Sequence, residues 1–381
     1  MTKMSTGHGK SKDSAPSGDA GIHIIGIVGV PGEYGGFETL ADYLLDSKKI
    51  QAVGATVYCE REVCTTQGSH YKGAKLMPLK WRANGWQSVL YDLNALWVAS
   101  RAGGSLLILG TSATFIIPFL RVLFPQVKYI VNMAGLEWSR SKWGPFARWF
   151  LKFNEMVAAR SAHIFITDNQ GLKDYIDSSY SRESVLIPYG GDQFLKVQGD
   201  QCVFNEFSLP EQFDFAMARA QVDNNMEIIL KAYAKNRVNL VFVSNWTSSI
   251  YGQQMFKKYG HIPNINLIGP IYDIEKIKAL HQRTRFYIHG HSAGGTNPVL
   301  VESMWARVPI LCFDVDFNRH TTGNKAFYFK TSDELIELLT SLTNDSMLLC
   351  SDMLFEIANK NYKWEHIIAA YETVIFKGKT K

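Results

Sequence analysis

The sequence predicts an α/β protein of two doubly wound, Rossmann-like domains facing a central cleft, and three observations predict it. Short apolar runs alternate with helical patterns along most of the chain, the signature of parallel sheets covered on both faces. The alternation breaks once, around residues 190–205, and then resumes. Two of the strand-to-helix turns are rich in glycine, as ligand-facing turns in such sheets are. The length of 381 residues agrees, since it exceeds one ordinary domain and suits two of about 150–200.

Residues 1–20 are polar and rich in Ser, Gly and Lys, which predicts a disordered extension and not a signal peptide, because they hold no apolar run. Order is expected from Ile22, where IHIIGIVGV ends in a Gly/Pro turn and FETLADYLL follows with helical spacing. The runs AVGATVYC, SLLILG, VKYIVNM, AHIFIT and SVLIPYG read as further strands, with helices near 86–101, 113–124, 144–160 and 169–179 between them. A second series opens at DFAMARA and continues through NLVFVSN, INLIGPI, RFYIHG and VPILCFD, with helices at 224–235, 251–260 and 273–282 and from Pro298. The domains are therefore expected at 21–192 and 205–362. A last helix near 363–376 is expected to cross back onto the first domain, ahead of a basic tail.

Composition excludes several classes. The formal charge of +5 is concentrated at the ends: Lys3, Lys10 and Lys12 face Asp13 and Asp19, and the tail adds Lys377, Lys379 and Lys381. The body is close to neutral, so no nucleic-acid partner is expected. Five scattered cysteines without a C-x-x-C pair argue against a disulfide scaffold or a zinc site and for a reducing cytoplasm. The apolar stretch 105–124 is interrupted by Thr111, Ser112, Thr114, Pro118 and Arg121, which fits a buried strand and helix better than a membrane span.

Two loops could carry chemistry. In Gly29-Val-Pro-Gly-Glu-Tyr34-Gly35-Gly36-Phe-Glu38 a strand hands over to a helix, and glycines let the backbone approach a ligand at the helix N-terminus. The spacing is neither G-x-G-x-x-G nor a P-loop, and a purely structural turn is the plainer alternative. The second loop, His289-Gly-His291-Ser-Ala-Gly294-Gly295-Thr296-Asn297-Pro298, leads to Glu302. Asn297 and Pro298 suit an N-cap and a first helical residue, so the amides of 295–297 are expected to stay free for a diphosphate. Glu302 lies at i+4 from Pro298 and can reach back to a sugar hydroxyl; a solvated first-turn glutamate is the plainer alternative. Asp314-Val-Asp316 spells D-x-D but falls after a late strand, and His289 with His291 lacks a third ligand, so no metal is expected at either.

The string GHSAGGTNPVLVESMWARVPI and the following FDVDFNRHTTGNKAFYF resemble the nucleotide-binding motif of glycosyltransferase family 4, in its branch of bacterial rhamnosyltransferases. GVPGEYGGFET, GLEWSRSKWG, TDNQGLKDYI, LIPYGGD, ARAQVDNNMEIIL and GPIYD resemble the same branch in the same order, over about 22–330. The resemblance implies a GT-B fold, a nucleotide-sugar donor with dTDP-L-rhamnose expected, a retaining reaction without a cofactor or metal, and a lipid-linked bacterial surface glycan as acceptor. It implies that Glu302 holds the donor ribose, Arg219 the diphosphate, and Gly269-Pro-Ile-Tyr272 the nucleobase. Gly35, Gly36, Gly294, Gly295, Thr296 and Asn297 are the remaining expected donor contacts, and Arg219, His291 and Glu302 the expected catalytic set.

Two positions depart from the family pattern: its first glutamate is here Gly294, and its lysine beyond the arginine is here Asn224. Sugar contacts must then come from elsewhere, backbone amides or His291. An epimerase or hydrolase of the same fold and an inactive glycan-binding relative are the competing readings. Tyr34, Glu38 and Glu137 are expected on the acceptor side. The aromatic and basic stretch Trp138–Phe153 suits the cytoplasmic face of the inner membrane; a core-packed helix with snorkelling cations is the alternative.

Overall fold

The computed structural model describes residues 21–31, 35–133, 135–140 and 142–377. Two sheets organise it. The first comprises β1 (Ile22–Ile25), β2 (Ala55–Glu60), β3 (His70–Tyr71), β4 (Ala74–Leu79), β5 (Ser105–Leu109), β6 (Lys128–Asn132), β7 (Ile164–Thr167) and β8 (Val185–Leu186). Their order is β3-β4-β2-β1-β5-β6-β7-β8; the short β3 runs antiparallel to β4. The second comprises β9 (Phe213–Met217), β10 (Leu240–Val243), β11 (Ile265–Ile268), β12 (Thr284–His289), β13 (Ile310–Phe313) and β14 (Phe327–Phe329), all parallel, in the order β11-β10-β9-β12-β13-β14. All four residues of β1 are buried, as a central strand covered by helices on both faces requires, and Ile24 sits in register with Val57 on one side and Leu107 on the other.

Apolar runs do not announce every element. β4 is disguised by Lys75 and Pro78, which break its pattern. The helices Ser332–Ser341 and Asn344–Asn361 follow the last apolar run; Thr331 starts the first of them with a capping box to Glu334.

The chain passes between the two cores at residues 190–193. Ile187 and Tyr189 belong to the first core, while Phe194, Val203 and Phe204 belong to the second. The final helix, Trp364–Phe376, returns to the first core with Trp364, Ile367, Tyr371, Val374 and Ile375. Its Trp364 ring stacks on Tyr43 at 4.1 Å and 9°. At its far end the buried Lys128 donates to the carbonyls of Val374 (2.7 Å) and Ile375 (3.2 Å), filling acceptors that a helix C-terminus leaves open.

Strand order decides where a ligand can sit. In each sheet it reverses beside the first strand, between β1 and β5 and between β9 and β12, and open α/β sheets bind ligands at the carboxyl ends flanking such a switch point. The two switch points open onto one shared cleft, since the same cavity is lined by Gly26, Gly35 and Gly36 beyond β1 and by Arg219 and His289 at the ends of β9 and β12.

Candidate functional site

The cleft has a volume of about 500 Å³. On the first-domain wall, Gly35 and Gly36 open the helix Gly36–Leu44, and Gly36 lies so close to the second domain that a Cβ there would meet Pro298 at 3.2 Å. Glu38, in the first turn, is buried and accepts a hydrogen bond from the Val28 amide at 3.0 Å. Burial pushes its pKa up, against the pull of that amide and of the Arg219 charge.

Beyond β6, Glu137 pairs with Arg140 (2.9 Å) and Lys142 (2.8 Å), and all three line the cleft. Arg140 also lies 3.9 Å from Asp223 across the cleft. This loop is anchored from behind by the buried Glu155, which accepts from Trp138 (2.9 Å), Tyr175 (2.7 Å) and Tyr180 (2.7 Å).

On the second-domain wall, Arg219 follows β9 and is exposed at the mouth. Its guanidinium forms no ion pair among the described residues. Asn224 donates to the Arg219 carbonyl at 2.7 Å and meets His291 Nδ1 at 2.9 Å, so it fixes the imidazole against the arginine loop. Burial, reinforced by Arg140 and Arg219 and opposed by Asp223 and the Gly294 backbone, lowers the His291 pKa to about 4. The ring is neutral at neutral pH.

Gly294 and Gly295 take φ of +84° and +81°, a region costly for other residues. A side chain at 294 would meet the Leu136 amide nitrogen at 3.3 Å, and one at 295 the Asp168 carboxylate at 3.1 Å. This explains the first departure from the family pattern: first-domain backbone fills the space a side chain at 294 would need.

The structure refines the expectation for the amides of 295–297. Thr296 gives its amide to the Asp168 carboxylate and its hydroxyl to the Asp168 carbonyl (2.5 Å), so this part of the loop is clasped by the first domain. Asn297 caps the helix Pro298–Trp305 by accepting from the Val299 amide at 3.0 Å, with Pro298 in its first turn.

Other expected residues lie apart. Glu302 accepts from Gln193 (2.8 Å), whose own oxygen accepts from Trp364 Nε1 (2.7 Å); it sits behind the loop and not on the cleft surface. Burial pushes its pKa up to about 7, with Gln193 pulling the other way. Tyr272 is 73 % exposed in the loop ahead of the helix Ile274–Arg283, outside the cleft, and Tyr34 lies outside the described residues. Asp314 is occupied by Arg319 (2.5 Å) and Lys330 (3.7 Å).

Sequence reasoning did not single out Asn132, Asp168 or Tyr371, and it read Arg140 and Lys142 only as part of the membrane-facing stretch Trp138–Phe153; all five line the cleft. Asn132 ends β6 and Asp168 follows β7 directly. They sit at the carboxyl ends of VKYIVNM and AHIFIT, the end of a parallel sheet at which ligands bind, although neither strand flanks the switch point itself.

Residues 20–192 match a family model described as a domain of unknown function, DUF1972. No curated protein matches the chain. Among solved structures it is similar to sucrose-phosphate synthase from Thermosynechococcus elongatus (TM-score 0.76, 13 % identity, 93 % of this chain and 97 % of that one). It is also similar to Anabaena HepE in complex with UDP and glucose (TM-score 0.71, 13 % identity, 93 % and 99 %). A third likeness is to α,α-trehalose 6-phosphate synthase from Burkholderia multivorans (TM-score 0.68, 8 % identity, 93 % and 98 %). At these identities the likeness shows the fold: GT-B, two Rossmann-like domains across a cleft.

Proposed function

We propose that this chain is a glycosyltransferase that takes a sugar from a nucleoside-diphosphate donor and passes it to an acceptor seated on the first domain. The observation that carries the reading is Arg219, a cation with no ion pair among the described residues, beside a glycine loop at the switch point of the second sheet. A leaving diphosphate gathers negative charge as its bond to C1 breaks, and a cation at the mouth of a partly enclosed cleft stabilises that charge. Gly294 lines the cleft and leaves its backbone open to such a ligand, while Gly295 turns toward Asp168. The GT-B fold supports the same reading, and the HepE structure holds UDP and glucose.

The finer reading follows the motif likeness. The donor is dTDP-L-rhamnose, and Glu302 holds its ribose after a small rearrangement of the Gln193 contact. The acceptor hydroxyl attacks C1 from the face the diphosphate leaves. The new C1–O bond forms as the old one breaks, the hydroxyl proton passes to the departing phosphate oxygen, and configuration is retained. No metal takes part, and the acceptor is a lipid-linked surface glycan.

An exposed aromatic ledge supports membrane-face work. Phe146 (78 % exposed), Trp149 (62 %) and Phe153 line one side of the helix Pro145–Ser161, Trp149 stacked on Phe153 and tilted against Phe146, and Phe119 and Val122 are exposed on the helix Ile117–Leu123. Arg148 and Lys152 rise from the same helix, as suits an anionic lipid surface. No helix among the described residues is long and apolar enough to cross a membrane.

The test is release of dTDP from dTDP-L-rhamnose by purified protein, with lipid-linked acceptor presented in anionic vesicles. Release should require acceptor, persist in EDTA, and go with cosedimentation of the protein on the vesicles. Release without acceptor would turn the reading to a hydrolase, and none with any sugar nucleotide would leave a binding protein.

A further inference from the structure

Four buried polar atoms without a hydrogen-bond partner belong to residues lining the cleft: Asn132 Oδ1, Asp168 Oδ1, His289 Nε2 and Arg140 Nε, of which only the last has an ion-pair partner, Glu137 at 2.9 Å. Buried polar groups in folded proteins are satisfied with few exceptions, so orphans gathered in one cavity point to a ligand. The first two share a corner. β6 and β7 are neighbours, with Asn132 in register with Ile166, and Asp168 comes two residues later. Asn132 is 2 % exposed; its amide nitrogen donates to the Tyr371 hydroxyl at 2.5 Å and its oxygen is left over. Asp168 receives the Thr296 amide and keeps Oδ1 unpartnered.

The chemistry of this corner selects its ligand. Both leftover atoms are acceptors, so the occupant must donate. No ion pair neutralises Asp168 among the described residues; burial pushes its pKa up to about 7, and its ionised form repels phosphate. No group of three metal-ligating side chains stands there among the described residues. A polyol with two neighbouring hydroxyls fits. The roof of the corner is the Gly294–Thr296 turn of the second domain, and glycine at 295 leaves the carboxylate its space.

We propose that Asp168 and Asn132 form a sugar-hydroxyl subsite that the first domain contributes to the donor pocket. It supplies the carboxylate absent at position 294 and makes recognition of the transferred sugar depend on domain contact. The inference rests on the glycosyltransferase reading above and adds the residues that choose the sugar.

Calorimetry on the full chain with dTDP and with dTDP-L-rhamnose tests it, in wild type, Asp168→Asn, Asp168→Ala and Asn132→Ala. Asp168→Asn keeps the shape and the acceptor for Thr296, so the clasp survives while the charge is lost. Both Asp168 variants should weaken dTDP-L-rhamnose about tenfold or more and leave dTDP within about twofold, as expected for losing a charged acceptor. Asn132→Ala should show a smaller loss of the same kind. Equal weakening of both ligands would reduce Asp168 to an interdomain clasp and overturn the subsite, as would wild-type affinities throughout. Should wild type prefer UDP-glucose, the donor assignment above fails, and the same comparison with UDP and UDP-glucose decides the subsite. Binding of no sugar nucleotide by wild type ends both.

Discussion

The two walls of the cleft are built from the same unit, a parallel strand handing over to a helix, yet they carry different chemistry. The first-domain wall is charged: Glu38, Glu137, Arg140, Lys142 and Asp168 all face the cavity. The second-domain wall presents backbone at Gly290 and Gly294, the buried His289 and the half-buried His291, both with lowered pKa, Asn224, and Arg219 as its one charged lining residue, with Asp223 set behind them. Arg219 gives an anionic ligand a cation to approach on that wall, while the Thr296 amide is already held by the Asp168 carboxylate. A charged wall opposite can then discriminate among ligands. Charge divided in this way makes the complete site a property of two domains in contact.

The largest effect is expected where the neutral wall keeps its one charge. Arg219→Ala should lower kcat at saturating donor by about 10²–10³-fold, the usual loss for a transition-state charge stabiliser. Because the side chain is exposed and unpaired, Tm should hold within about 2 °C. A steady-state assay beside a thermal melt separates the two. Wild-type kcat in the variant would move the stabilising charge to Arg140 or Lys142 and erase the asymmetry between the walls.

A middling effect is expected from putting a carboxylate on the wall that lacks one. Gly294→Glu introduces the glutamate of the motif this loop resembles, yet φ at 294 is +84° and Leu136 blocks the space. Strain of about 1–3 kcal/mol should lower Tm by several degrees and weaken binding of the sugar nucleotide. Tighter binding in this variant would show that the first-domain loop does not close over 294 when donor is present.

Much of this architecture was legible beforehand, and the parts that were not share a physical reason. Strands buried on both faces read as apolar runs whatever surrounds them, which is why IHII, SLLIL and KYIVN stand out. The second loop was legible because its glycines and the Asn297-Pro298 start are backbone requirements local to the sequence. Asp168 and Asn132 were not, since each looks like a polar residue ending a strand until the other domain is placed over it. Glu302 illustrates the converse: its helical position could be read, but its bond to Gln193 depends on where the chain passes between cores. Asn224 stood out only as a missing lysine, and its bridge from the Arg219 carbonyl to His291 needs the folded loop to be seen.

The smallest effect concerns Glu302 and follows from a sign. Burial raises its folded pKa to about 7, above the ordinary carboxylate value it has in the unfolded chain. A group raised in this way binds its proton more tightly when folded, so its contribution is full below about pH 4.5 and disappears as pH climbs through 7. Glu302→Gln keeps a hydrogen-bonding partner for Gln193 and removes the titration. Without ligand, the variant should therefore gain on wild type as pH rises from 5 to 8, by a few degrees in Tm, at roughly 2–4 °C per kcal/mol for domains of this size. Thermal melts at the two pH values check it. A constant difference would mean that the carboxylate is already solvated, and that the Gln193–Trp364 chain behind the neutral wall holds it less firmly than 2.8 Å and 2.7 Å bonds suggest.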